Sequence, residues 1–417
     1  MIRIVSMSTE QFVRSVESFN AFGTRTRLEA FKWSVRGMSG TTMKAFNEYW
    51  TNSQRQGHSL HEISYRACFK PQLPHFFITR LTDPGDAVYD PFMGRGTTLL
   101  EASLHGRKPL GNDINPLSLA LLEPRLGPPT LEDIASRLDL IDLTIAGEQF
   151  PGLEVFFHPD TLRQIIALKE YLLSRSDSGE IDRIDRWIRM VAINRLTGHS
   201  PGFFSVYSLP PNQAISVDSQ RKINQVRNQT PEPKNIVPRI LRKSESLLRD
   251  WYGQRPEYEQ IDLESVLTTQ SANHAVGIPS ETAQLVVTSP PFLDVVDYQA
   301  DNWMRCWFLG IDSSSIDIAQ FKRSDEWQAM MTGVLRDIKR IVKPGGYVAF
   351  EVGEVRGGSL TLEELVLPAG VEAGLNPVVI MVNVQEFTKT ANVWGIENQT
   401  KGTNTNRIIV FEKQVSR

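Results

Sequence analysis

Two short runs in this 417-residue chain carry residue types able to do chemistry together. The first is Asp90-Pro91-Phe92-Met93-Gly94-Arg95-Gly96-Thr97-Thr98. A strand signal, Ala87 to Asp90, precedes it, and a helix signal, Thr97 to about His105, follows. Gly94 and Gly96 therefore fall where the chain turns tightly and where amide N–H groups can aim at a ligand. Asp113 ends the next strand, Lys108 to Asp113, about 20 residues beyond the first glycine, the place where a carboxylate accepts hydrogen bonds from both hydroxyls of a ribose. The run reads as a nucleoside cradle; plain turn glycines and a turn-capping Asp113 are the alternatives. A dinucleotide site wants a third glycine three residues after Gly96, and Leu99 stands there, which disfavours NAD and a nicotinamide oxidoreductase. Asp90 beside the loop would repel phosphates and suits a ligand with an ammonium group and no pyrophosphate.

The second run is Ser289-Pro290-Pro291-Phe292, directly after the apolar strand Gln284 to Thr288. Two prolines fix the backbone and remove two N–H donors at the carboxyl edge of a sheet, where ligands bind in open α/β folds. An exocyclic amine presented to this turn can donate to the Ser289 hydroxyl and to a backbone carbonyl, most simply that of Pro290. Its lone pair is then drawn out of conjugation and aimed at an electrophile, so that proximity and orientation do most of the catalysis. Phe292 offers a flat face for a flipped base. The alternative is a rigid proline turn with a core phenylalanine.

Strand, loop, helix, strand around Gly94 is a β-loop-α-β unit, so a parallel sheet is expected. Further strands read from Tyr347 to Val352, Val378 to Val384 and Arg407 to Phe411, with a helix from about Asp325 to Ile341. The first sixty residues read as polar helices with scattered aromatics, a cap or arm. Helix signals dominate from about 125 to 262, apart from an ordered aromatic loop, Gly198 to Gln213. Between 221 and 249 eight basic residues face two acidic ones, a local charge of +6.

Composition fits this frame. Apolar content of 41%, charged content of 22%, 28 Gly and 24 Pro exclude a disordered, collagen-like or coiled-coil chain. The length allows two or three domains. Two cysteines, Cys68 and Cys306, form neither a finger motif nor a disulfide framework, so a reducing compartment is expected. No apolar run is long enough for a membrane span and no signal core opens the chain, which places it in the cytoplasm. The seven histidines show no metal-ligand spacing, and no metal is expected. A net charge of −3 argues against whole-surface nucleic-acid binding and leaves a local basic face open.

DPFMGRGTT, the strand end Asp113 and TSPPF together resemble the S-adenosylmethionine-dependent DNA amino-methyltransferases, which methylate cytosine at N4 or adenine at N6. FKPQLPHFFITRL, from Phe69, is similar to the segment before the cofactor loop in that family, and KPGGYVAFEV, from Lys343, to the helix-to-strand stretch after the catalytic turn. The resemblance covers about 64 to 125 and 284 to 412. It implies an α/β, Rossmann-like class I methyltransferase fold, a mainly parallel sheet with helices on both faces and a largely helical insertion. The divisions are an N-terminal helical arm (1–63), a cofactor-binding half (64–125), a helical and basic insertion (126–262) and a catalytic half (263–417).

The resemblance also assigns roles. Gly94 and Gly96 would hold the methionine part of S-adenosylmethionine, with Phe92 packed on it, Asp90 beside it and Thr97 or Thr98 at its carboxylate. Asp113 would take the ribose, and Ser289, Pro290, Pro291 and Phe292 would form the catalytic pocket. Serine at the first position of the turn favours cytosine N4, where adenine enzymes more usually carry aspartate. The family's acidic residue at the end of the strand before the turn is replaced by Thr269-Gln270-Ser271, and Gln270 is expected to hydrogen-bond the cofactor's adenine. The cofactor half comes first, unlike the many relatives that begin with the catalytic turn. Double-stranded DNA is the expected partner, with or without a cognate restriction endonuclease. Arg221, Lys222, Arg227, Lys234, Arg239, Arg242 and Lys243 would meet phosphates, and Asn212, Gln213, Gln220 and Asn224 could reach base edges. Adenine N6, an RNA acceptor and a non-catalytic DNA-binding regulator are the competing readings.

Overall fold

Leu285, Val286 and Val287 are fully buried, as a strand covered on both faces must be, and they lie in the middle of the sheet. The computed structural model describes residues 6–50, 57–66, 68–145, 151–209, 214–253, 264–291, 298–316, 318, 321, 323–355, 360–384 and 405–415. Phe292, Asn212 and Gln213 lie outside them.

The strands are β1 (Arg27–Val35), β2 (Met38–Asn47), β3 (Ala87–Asp90), β4 (Lys108–Asn112), β5 (Val266–Thr268), β6 (Ala283–Thr288), β7 (Val342–Val352), β8 (Glu354–Val355), β9 (Leu360–Thr361), β10 (Asn376–Val384) and β11 (Thr405–Glu412). All but the small β8–β9 hairpin join one sheet in the order β1-β2-β10-β11-β7-β6-β3-β4-β5. From β5 to β7 neighbours run parallel, β11 is antiparallel to both β7 and β10, and β10 is parallel to β2. The order reverses outward from β3 and β6, the switch point at which such sheets bind ligands.

Alternation along the strands gives two cores. Val88, Leu285, Val287, Ala349 and Met381 face α1 (Thr9–Glu17) and α2 (Gln72–Leu81). Tyr89, Val286, Val348, Phe350 and Ile380 face the opposite way with residues of α11 (Ser324–Ile341) and α12 (Glu363–Glu372). Helices on both faces of a mainly parallel sheet make this a Rossmann-like α/β fold.

The insertion supplies α5 (Leu131–Leu140), α6 (Pro159–Asp177), α7 (Arg183–Ile193), α8 (Val217–Arg227) and α9 (Ile236–Gly253). Trp187 and Ile188 of α7 share a third core with Leu99 of α3 (Thr97–Leu104) and Leu121 of α4 (Leu117–Leu126), joined by Met304 and Phe308 of α10 (Tyr298–Phe308). The Trp187 indole donates to Ser244 of α9 at 3.0 Å, and buried Asp185 receives Arg137 and Arg175 at 2.5 and 2.7 Å. The insertion thus rests on the helices that hold the cofactor loop. Among the described residues no helix is long and apolar enough to cross a membrane.

The N-terminal segment departs from the helical reading. Among the described residues there, only α1 is an α-helix; residues 27–47 form a hairpin in register from Arg27–Phe46 to Val35–Met38, with Arg36 and Gly37 at φ +48° and +81° in the two-residue turn. Phe31, Trp33 and Val35, at a spacing of two, pack on the α11–α12 core, so burial of one face decides for strand over helix. Glu363, fully buried on α12, accepts Lys44 of β2 at 2.7 Å and also Arg407 of β11. Removing this carboxylate leaves two nearly buried cations without their anion. Glu363→Ala is therefore expected to cost about 3–5 kcal/mol in urea unfolding, and a loss below about 1 kcal/mol would show the pairing to be dispensable.

Candidate active site

Asp90 ends β3 and is buried, its Oδ1 accepting the Thr288 hydroxyl at 2.7 Å and the Phe92 amide at 3.1 Å. Burial pushes its ionisation up to about 7, against the hydrogen bonds that favour the carboxylate. The loop then turns through Gly94 at φ +49°. The Gly94 amide donates to Asp113 Oδ2 at 2.8 Å, and the Asn115 amide donates to Oδ1 at 2.9 Å. Each carboxylate oxygen keeps a lone pair for a further donor, the capacity two ribose hydroxyls need. Burial raises the ionisation of Asp113 as well.

One cavity takes in Asp90, Phe92, Gly94, Thr97, Asp113, Ser289 and Pro291. Its two chemical ends come together because β3 and β6 are parallel neighbours. Ser289 hydrogen-bonds buried Glu351 of β7, whose Oε1 also receives the Asn406 amide at 2.8 Å, and burial raises the Glu351 ionisation. The Trp327 indole donates to the Pro291 carbonyl at 3.1 Å and fixes the far side of the turn.

Other expected residues play different parts. A Cβ at Gly96 would stand 2.5 Å from Leu122, and its φ is +77°, so this glycine serves helix packing beneath the loop. Thr98 is buried and donates to the Val287 carbonyl at 3.0 Å, tying α3 to β6 and leaving Thr97 as the cavity-lining threonine. Gln270 lies outside the lining: its Oε1 accepts the Gly277 amide at 3.0 Å, and the adjacent Ser271 and Ala272 line the cavity instead. Pro290 is buried and outside the lining as well.

Tyr65, Arg95 and Met330 line the cavity without having been anticipated. Arg95 stands inside the glycine run; it donates to Thr97 Oγ1 at 3.0 Å and to the Ile63 carbonyl at 2.9 Å, clamping the segment before α2 over the loop. Its position between two loop glycines was the available signal. Tyr65 and Met330 arrive from distant segments and had none.

The basic segment divides. Lys234 donates to the Phe203 carbonyl at 3.2 Å, and Lys243 is largely covered near Glu62, its ionisation pushed down to about 8 by burial. Arg239 bonds the Pro201 and Asn235 carbonyls. Arg221, Lys222, Arg227 and Arg242 are exposed, although Arg221 pairs with Asp218 and Arg227 stacks on Tyr207. Gln220 and Asn224 are bonded to each other and to the Tyr207 and Val155 carbonyls, which spends the donors expected at base edges.

Residues 20–122 match a family described as DNA methylase. Over longer stretches the chain is similar to the Type II methyltransferase M.MvaI of Kocuria varians, 24% identical across 58% of this chain and 55% of that one. It is similar also to M.BsoBI of Geobacillus stearothermophilus, 23% identical across 66% and 57%. A shorter stretch is 39% identical to M.MjaII of Methanocaldococcus jannaschii, across 16% and 13%. The chain thus spans little more than half the length of the longer-aligned relatives. The residues that match the DNA methylase family contain the glycine loop and Asp113, and the proline turn faces them across one cavity.

Proposed function

We propose that this chain methylates the exocyclic N4 amine of cytosine in double-stranded DNA at one short sequence, acting on a base flipped from the duplex. The observation that carries the reading is the single cavity shared by the Gly94–Asp113 cradle and Ser289. The residues fit the donor: acceptors for the ribose stand at Asp113, and Asp90, a carboxylate beside the loop, suits an ammonium group. When bound, S-adenosylmethionine would supply an electrophilic methyl group on sulfur.

The chain's own residues orient the acceptor. Ser289 donates its hydroxyl proton to Glu351, which leaves its oxygen lone pairs for an amine N–H. Held there, the nitrogen presents its lone pair away from the turn. Phe292 would stack on the base, whose extrusion costs a few kcal/mol. The exposed cations of α8 and α9, Arg221, Lys222, Arg227 and Arg242, are the phosphate contacts of this reading.

Nucleoside mass spectrometry on DNA and RNA from a host expressing the protein should find N4-methylcytosine in DNA, and Ser289→Ala should lower the purified enzyme's turnover by about a hundredfold or more. N6-methyladenine would move the acceptor, modified RNA would move the polymer, and unmodified nucleic acid in every case would sink the activity. If Asp90 meets the ammonium group, its proton competes with the ligand. The ammonium stays charged below about pH 7.7, so cofactor affinity should fall from pH 7 to pH 5 by up to about tenfold per unit, while Asp90→Asn flattens the profile. A wild-type affinity constant over that range excludes the contact. Finally, four phosphate contacts predict a log–log salt slope of about −4 for DNA binding. The pair Lys222→Glu and Arg242→Glu should reduce it by about two, and an unchanged slope places the DNA elsewhere.

A further inference from the structure

Glu101 of α3 and His105, the cap at its C-terminus, stand one turn apart, past the threonine that lines the cavity, and α2 brings His75 against them. His75 Nδ1 lies 2.9 Å and His105 Nδ1 3.4 Å from the same carboxylate oxygen, Oε1 of Glu101. The two rings meet edge-on at 4.7 Å between centroids, and the three side chains offer one donor atom each within 4.8 Å of one another. The second oxygen, Oε2, is held at 2.9 Å by Nε2 of buried His61. That bond aims the carboxylate, leaving Oε1 toward the two imidazoles, in the manner of the outer hydrogen bonds that orient metal-ligating groups.

We infer that His75, Glu101 and His105 form a binding site for one divalent transition-metal ion of the zinc class. Two imidazole nitrogens and one carboxylate oxygen are a donor set for such ions, and three protein ligands leave a position for water. Glu101 is 8% exposed while His75 is 49% and His105 30% exposed, so an ion can arrive from solvent and settle against a sheltered anion. His105 Nδ1 also lies 2.9 Å from the Glu101 carbonyl. To ligate through Nδ1, each ring carries its proton on Nε2, a change of tautomer with no net proton released. The nearby Arg107 guanidinium is bonded to the Thr82 carbonyl and hydroxyl and to the His105 carbonyl. An ion here would join α2 to α3, the helices that continue the two walls of the cofactor cavity.

The test uses the full chain after chelator treatment. Equilibrium dialysis with zinc should give one ion per chain, and His75→Ala and His105→Ala, checked for intact fold by circular dichroism, should each weaken binding by at least about tenfold. Cobalt bound to the wild-type protein should show ligand-field absorption that zinc abolishes, a readout that does not depend on the variants folding. Absence of zinc uptake and of the cobalt bands, or affinity unchanged in both variants, overturns the assignment.

Discussion

A hydrogen bond between two buried side chains, Thr288 to Asp90 at 2.7 Å, joins residues 198 positions apart. It closes the ends of β3 and β6, and the functional geometry depends on it. Without a partner, a carboxylate at the bottom of this cavity would be too costly to bury. With one, it fixes the distance between the loop that leaves β3 and the turn that leaves β6. Thr98 repeats the tie one layer down by donating to the Val287 carbonyl. Cradle and turn are therefore set by the sheet itself, and the long insertion between them in sequence does not disturb their register.

The same economy runs through the packing. The sheet spends both faces on its own helices, and the core of the insertion takes in Leu99 and Leu121, on the helices beneath the glycine loop. The exposed basic residues of the insertion therefore sit on a body packed against that loop. Several cations in it are structural: Lys234 and Arg239 satisfy carbonyls of the aromatic loop, so a count of charge in the sequence overstates the charge available to a partner.

Much of this was legible in the residues. β3 runs from Ala87 to Asp90 as read, and the neighbouring strands and α11 agree within a few residues. What could not be read were choices made by distant neighbours. Gly96 looks like a ligand glycine, yet Leu122 decides it. Thr98 and Thr97 are equivalent in the sequence and opposite in the fold, because successive helix positions face different ways. Gln270 has the right position, yet its side-chain oxygen accepts the Gly277 amide and it lies outside the cavity lining. The hairpin was missed because its period-two pattern is short and its turn is Arg36-Gly37, a weaker signal than Asn-Gly. Glu351 supports Ser289 from across a strand, and no spacing announces that.

The parallel pairing of β2 with β10 reaches past the catalytic machinery. The Tyr49 amide, at the end of the hairpin, bonds the side chain of Asn383, 334 positions away. The hairpin is made well before β10, and until β10 arrives one edge of β2 stays open. Such distant pairings are slow to form and leave edges exposed meanwhile. Completion of the sheet therefore waits on a contact between segments more than 300 residues apart, far from the cavity.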